Sequence, residues 1–353
     1  MVAAALGVIA NPVSARDIRR VVAHAGNLQM SERVNILIRV LQAARAAGVT
    51  RVLMMPDRAG IQALLDRHVK RGDTQLPEIE LLGMEPTSTV EDTFAATRLL
   101  QRAGVAAIVV LGGDGTHRAV VRELVASGDG RGAALPIAGL STGTNNAFPE
   151  MREPTITGLA AGLYAMGRID SAEALQPNKL IEVGMRNRDG KSRRDIAVVD
   201  AVVTHDGTVG ARALWKTQSL AAAYFAFAEP EAIGLSAIGG LLQPVGRREP
   251  GGLSVQLATD ARHALLHLNA PIAPGLVRPV AVASWQRMVA GEPLAVSTEA
   301  GSIALDGERE FTFAAGDRVT MTLREDAFHT LDVARCMAAA ARDGLLATSF
   351  SHP

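Results

Sequence analysis

The stretch "AIVVLGGDGTHRAVV", Ala107 to Val121, sets one carboxylate among three glycines and a threonine, between an apolar run and a resumed helical pattern. Glycines at the end of a buried strand let backbone N–H groups approach an anion with no Cβ in the way. A helix that opens directly afterwards adds the positive end of its dipole. Gly112, Gly113, Gly115 and Thr116 therefore read as a phosphate cradle, with Asp114 standing among the oxygens it would hold. A carboxylate beside phosphates is repelled unless it serves one of two purposes. It takes a proton from an attacking hydroxyl, or it binds a magnesium ion that neutralises the phosphates. The plainer alternative is a tight strand-to-helix turn with a solvated aspartate.

Two commoner phosphate loops do not fit. The first strand runs into "ANPVSARD" with no G-x-G-x-x-G, and "GGDGTHR" carries Arg118 where the last glycine of that fingerprint falls. In "GMRNRDGKS" five residues rather than four separate Gly184 from Gly190, so Lys191 reads as a hairpin-turn residue. A metal held by protein alone is not expected. His205 and Asp206 precede Gly207 in a hairpin pattern, and His263 and His267 lie in a strand-like stretch with no third ligand. His117 either touches a phosphate or faces solvent at a helix start, and Trp215 reads as core. The single cysteine, Cys336, cannot form an internal disulfide and reads as a small buried group in an alanine-rich helix.

The elements that must position the glycine loop alternate up to about Gly167. Strand candidates "AALGVIA", "RVLMMP", "IELLGM", "AAIVVLGG" and "LPIAGLST" are separated by helical patterns near residues 32–47, 59–70, 90–103 and 116–126. Strands apolar on both faces require a parallel sheet covered by helices, which predicts a doubly wound α/β domain over 1–168. From about Asp170 strands are bounded by polar turns, among them "RRDIAVVDAVVTHDG" read as one piece, which predicts an antiparallel β-rich domain over 169–325. The tail, 326–353, is expected to complete the first domain through a helix with Leu331, Ala334, Met337, Ala338, Ala341 and Leu345 on its inner face. Thirty-six basic residues balance 36 acidic ones, so neither nucleic acid nor an anionic membrane is an expected partner. The apolar start lacks the basic residues of a secretion signal and reads as a first strand, and a soluble cytoplasmic protein is expected.

"GGDGT" at a strand end resembles the signature of the NAD kinase and diacylglycerol kinase superfamily. "NPVSARD" at Asn11 to Asp17 is similar to its N-P-x-S-G loop, with Ala15 replacing glycine. "STGTNNAF" from Ser141 resembles G-T-G-N-D-F, with Ala147 replacing aspartate, and "ALDGE" at Ala304 to Glu308 resembles a late D-G-E motif. "GVIANPVSARDIRR" and "AEPEAIGLSAIGG" are similar to the ATP-NAD kinase-like subgroup that includes acetoin catabolism protein X. The resemblance implies an NAD kinase-like fold. It makes Asp114 the general base and Gly112, Gly113, Gly115 and Thr116 the phosphate site. Asn11, Thr142, Gly143, Thr144, Asn145 and Asn146 would contact nucleotide, with Asp306 and Glu308 approaching from the β-rich domain across an interdomain cleft. Asp200 stands where NAD kinases carry an acidic dinucleotide contact, without the preceding asparagine, and Glu229 to Ser236 lacks their hydroxyl-rich loop. The implied reaction is transfer from ATP or polyphosphate, with Mg2+ held by the nucleotide phosphates and Asp114, to a ribose-type hydroxyl. NAD is the default acceptor. A kinase of another small-molecule or lipid hydroxyl, and a non-catalytic nucleotide sensor, are the alternatives. A homo-oligomer is also implied.

Overall fold

The structure, a computed structural model, describes residues 5–11, 29–70, 75–126, 134–142, 146–207 and 217–347. Five short strands form the parallel part of the first sheet: β1 (Leu6–Ala10), β2 (Arg51–Met54), β3 (Glu78–Leu81), β4 (Ala107–Gly112) and β5 (Ile137–Ser141). Their order is β3-β2-β1-β4-β5. Every residue of β1 and β4 is buried, as strands covered on both faces must be. Helix α1 (Met30–Ala46) lays Val34, Leu37, Ile38 and Leu41 against one face, and α2 (Ile61–Lys70) adds Ile61 and Leu65 there. Helices α3 (Val90–Ala103) and α4 (Asp114–Ala126) cover the other face through Ala96, Leu100, Val120, Val121 and Leu124. The chain thus leaves β1 towards one face and β4 towards the opposite one. That makes the adjacent carboxyl ends of β1 and β4 the point where connections diverge and a crevice opens.

Helix α5 (Pro154–Ala165) escapes sequence periodicity because "PTITGLAAGLYA" is apolar nearly all round. Its glycines explain its place. A Cβ on Gly158 would lie 2.4 Å from the Val40 carbonyl oxygen, and one on Gly162 would lie 2.7 Å from Ala47 Cβ, so only glycine lets α5 pack this closely on α1. After a single turn, α6 (Ser171–Ala174), the strands become antiparallel but the sheet does not end. Strands β6 (Leu175–Arg186) and β7 (Ser192–Ala197) extend it through the long β16 (Arg318–Leu331), in the order β5-β16-β6-β7. Residue 169 therefore marks a change of strand direction rather than the edge of a sheet.

A second, wholly antiparallel sheet contains β8 (Asp200–Thr204), β9 (Leu220–Phe225), β10 (Gly252–Leu257), β11 (Leu266–Ala273), β12 (Leu276–Met288), β14 (Gly301–Leu305) and β15 (Glu308–Phe313). Helix α7 (Ser236–Leu242) packs on it, and the short β13 (Pro293–Ala295) pairs with β16. The stretch read as one strand, "RRDIAVVDAVVTHDG", breaks at Val198 and Val199 into β7 of the first sheet and β8 of the second. The C-terminal helix α8 (Val333–Arg342) returns to pack on α5 and α6. Its buried face is Val333, Cys336, Ala339 and Ala340, whereas Ala334, Ala338 and Ala341 are exposed. Alanines on every side hid the phase, which the Asp332 cap sets by accepting from the Arg335 N–H. No helix among the described residues is long and apolar enough to cross a membrane.

Candidate functional site

Asn11 follows β1 and the glycine loop follows β4, so the topology places both at the crevice. The Asn11 N–H donates to the Leu111 carbonyl at 3.3 Å, and its side-chain amide donates to Thr116 Oγ1 at 3.3 Å. Arg33 of α1 holds the Asn11 carbonyl at 3.0 Å. The loop is tight enough to dictate its residues. A Cβ on Gly112 would meet Thr116 Cβ at 2.5 Å, and one on Gly113 would meet Asn146 Oδ1 at 2.9 Å. The Thr142 N–H donates to the Gly112 carbonyl, and Asn146 Nδ2 donates to Ser141 Oγ at 2.9 Å, so Thr142 and Asn146 both lie against the glycines. Gly143, Thr144 and Asn145, with 12–17 of the "NPVSARD" stretch and Trp215, lie outside the described residues.

Asp114 is the first residue of α4 and is half-buried. Its Oδ2 accepts the Ala147 N–H at 3.0 Å and its Oδ1 accepts the Phe148 N–H at 2.9 Å. The carbonyls of the same two residues accept from Arg247, at 2.6 Å for Phe148. Arg247 is held in turn by Glu229 at 3.1 Å and lies over the Phe227 ring. Asp114 therefore orients a loop of the chain as well as facing the crevice.

His117 neither faces solvent nor lies open to a phosphate. It is fully buried, with its ring 5.7 Å from that of Phe148. Nδ1 lies 2.9 Å from the Gly113 carbonyl and must carry the ring proton, because a carbonyl only accepts. Nε2 has no hydrogen-bond partner. Burial pulls this histidine down to about 4, against the carbonyl that raises it, so it is neutral at physiological pH.

From the second sheet, Asp306 and Glu308 come to α4 on either side of the β14–β15 turn. Glu308 is exposed, and its Oε1 would lie 3.4 Å from a Cβ on Gly115. Asp306 is sealed inside at φ +50°, where it accepts N–H groups from Val198 at 3.0 Å, Val199 at 2.8 Å and Asp200 at 3.2 Å. Those three bonds turn the chain between β7 and β8, and they bury Asp200 beside them. Burial pushes Asp306 up to about 7 despite Arg118. Arg118, one turn along α4 from Asp114, lies 3.8 to 3.9 Å from Asp195, Asp306 and Glu308, so one cation neutralises carboxylates from both sheets.

A cleft of about 260 Å³ at the carboxyl ends of β1 to β3 was not read from the sequence. Asn11, Asp57, Ser88, Thr89 and Asp92 line it. Its two acids are already occupied by backbone. Asp57 accepts from the N–H groups of Ala59, Gly60, Ile61 and Gln62, and Asp92 from those of Thr87 and Ser88. Ser88 at φ +64° is a left-handed non-glycine residue on the rim. The T-x-x-D spacing of Thr89 to Asp92 was the available signal, since it is a helix-start pattern.

Among the described residues no three acidic, histidine or cysteine side chains gather as metal ligands. The oxygen donors present nevertheless suit magnesium, which takes one or two carboxylates and completes its shell with phosphates and water. Asp114 and Glu308, on either side of Gly115, are the carboxylates that would hold it.

Comparison with known proteins agrees with this architecture. Residues 6–169 match the ATP-NAD kinase N-terminal domain, and residues 179–326 match the acetoin catabolism protein X C-terminal domain. The structure of yeast NADH kinase complexed with NADH aligns over 99% of this chain and 90% of that one, with a TM-score of 0.51 and 12% identity, which shows a common fold. Acetoin catabolism protein X of Cupriavidus necator is 56% identical over 348 residues, covering 98% of this chain and 94% of that protein. The chain therefore belongs to the acetoin catabolism protein X family, and its fold is that of the NAD kinases.

Proposed function

We propose that the protein is a magnesium-dependent kinase that transfers the γ-phosphoryl group of ATP to a ribose-type hydroxyl, with NAD the first acceptor to test. The observation that carries this reading is Asp114. It is a carboxylate fixed by two backbone amides at the mouth of a glycine loop, at the crevice between β1 and β4. The donor's phosphates would rest on the N–H groups of the glycine loop and the start of α4, with Asn11 and Thr116 beside them. Its nucleoside would occupy the cleft between Asn11 and Asp92, where the Asp57 and Asp92 carboxylates are already engaged by backbone amides. Bound magnesium would supply charge neutralisation of the phosphates, held from the protein side by Asp114 and Glu308. Asp114, at the mouth of the crevice, takes the proton of the attacking hydroxyl.

Incubating the protein with Mg-ATP and NAD and looking for NADP by mass spectrometry tests the reading. NADP from the wild type, with turnover reduced by about 10²- to 10⁴-fold in Asp114→Asn, is the expected result. Asparagine presents an N–H to one of the loop amides, so exchange protection of Ala147 and Phe148 has to be followed in the same variant. Turnover unchanged in Asp114→Asn would remove the base. The double amide bond to Asp114 favours one second reading, a nucleotide-binding protein without transfer, in which this aspartate serves only to set the loop. Tight Mg-ATP binding with no phosphorylated product from a broad panel of hydroxyl compounds would establish it.

A further inference from the structure

A second cleft lies behind the Ala147–Phe148 loop. In a trans peptide the carbonyl and the N–H point in opposite directions. The Phe148 N–H faces Asp114 and the Ala147 carbonyl faces Arg247, so Arg247 stands on the far side of the loop from the catalytic carboxylate. There it lines a cleft of about 580 Å³, open to solvent, together with Phe148, Arg152, Asn178, Arg248 and Asp332.

Three guanidinium groups enter this cleft, each aimed by a carboxylate. Glu150 accepts from Arg152 Nε at 2.8 Å and Nη2 at 2.5 Å, the sealed Asp332 accepts from Arg248 Nη2 at 2.5 Å, and Glu229 accepts from Arg247 Nε. A guanidinium carries five N–H donors. The bonds among the described residues use two on Arg152, one on Arg248 and three on Arg247. Fork-shaped donors remain on groups whose orientation is already set, which is the arrangement that recognises a planar or tetrahedral oxyanion. The floor adds a second feature. Gly139 and Pro149 line the cleft, and a Cβ on Gly139 would lie 2.7 Å from His117 Nε2, the buried nitrogen with no partner.

We propose that this cleft binds a small molecule bearing a phosphate or carboxylate group on the remaining donors of Arg152, Arg247 and Arg248, and that its occupancy reaches Asp114 through the Ala147–Phe148 peptide. An anion that fixes Arg247 also fixes the two carbonyls Arg247 holds, and with them the two amides that hold Asp114. The site is separate from the glycine loop and does not require the kinase reading.

Calorimetric titration of the full chain with inorganic phosphate and, separately, with malonate tests it, with and without saturating Mg-ATP. One saturable site per chain is expected for at least one probe, and which probe binds decides between phosphate and carboxylate chemistry. Binding should persist with Mg-ATP present and weaken about tenfold or more in Arg152→Ala and in Arg248→Gln, the loss of roughly one charge-assisted hydrogen bond. Arg152→Lys, which keeps the charge but not the fork, serves if either variant folds poorly. Hydrogen exchange at Ala147 and Phe148 should slow when the probe is bound. No saturable binding of either probe, unchanged affinity in the arginine variants, or displacement by Mg-ATP would each overturn the site. Unchanged exchange at Ala147 and Phe148 would overturn its coupling to Asp114. Failure of the kinase reading would show instead as absent Mg-ATP binding or absent product, with the arginine variants still informative.

Discussion

Asp114 and Asp306 both accept backbone amides from a loop far away in sequence, yet one stands half-open at a crevice and the other is sealed between two sheets. The same kind of bond therefore serves two ends. At Asp114 two amides fix a carboxylate that still meets solvent and can act on a ligand. At Asp306 three amides and the nearby Arg118 hold a corner of the chain, and nothing is left to face outward. Accessibility, more than hydrogen bonding, separates a carboxylate that can meet a ligand from an architectural one.

The sharpest way to break that comparison is to delete each side chain. Asp306→Ala leaves three buried amides without an acceptor and strips a carboxylate from Arg118, which should cost about 3–5 kcal/mol. Asp114→Ala frees two amides of a loop that water can reach, and the cost should stay near 1–2 kcal/mol. Urea unfolding of both variants measures the difference. Equal losses would mean that Asp114 is as architectural as Asp306.

Titration sharpens the comparison further. Asp306 holds its proton up to about 7 in the folded chain and to roughly 3.9 when unfolded, so its contribution is full below pH 4 and is lost as pH rises through 7. His117 behaves oppositely. It drops to about 4 on folding from roughly 6.5, so its contribution is full above pH 6.5 and is lost as pH falls towards 4. In the wild type these slopes oppose each other. Asp306→Asn should leave a stability profile that rises more steeply from pH 4 to 6.5, and His117→Gln one that falls. Each change is up to about 3 kcal/mol at about 1.4 kcal/mol per pK unit. Chemical unfolding at a series of pH values reads both, and profiles that tilt the same way would sink the assignment.

The same contrast explains what the sequence disclosed. The glycine loop, Asn11 and the parallel strands were legible because strand ends, glycine spacing and two-sided burial are local patterns. The corner at Val198 was not, because the carboxylate that makes it lies more than 100 residues further on. Arg247 was missed for the same reason, its loop partners lying 99 and 100 residues away. Helix α5 hid behind Gly158 and Gly162, which lower helix propensity while permitting the contact with α1 that requires them. His117 looked like a helix-start residue at the ligand edge. Only the packing of Phe148 and Gly139 around it shows that it faces inward.

The smallest effect on the fold should come from a residue that touches only the open side of this contrast. A Cβ on Gly115 meets nothing nearer than Glu308 Oε1 at 3.4 Å, the end of an exposed and movable side chain, whereas one on Gly112 would strike Thr116 at 2.5 Å. Gly115→Ala, in the first turn of α4, should thus leave stability unchanged or raise it by up to about 1 kcal/mol, the ordinary gain of alanine over glycine in a helix. The methyl group would nevertheless stand beside the N–H that a phosphate is proposed to meet, and should weaken Mg-ATP binding about tenfold, or roughly 1.4 kcal/mol. Gly112→Ala should do the reverse, destabilising the fold because Thr116 is buried and has no room to yield. Paired unfolding and nucleotide-titration curves for the two variants decide it. Unaltered nucleotide affinity in Gly115→Ala would move the phosphate away from α4 and leave the glycines of this loop a purely structural purpose.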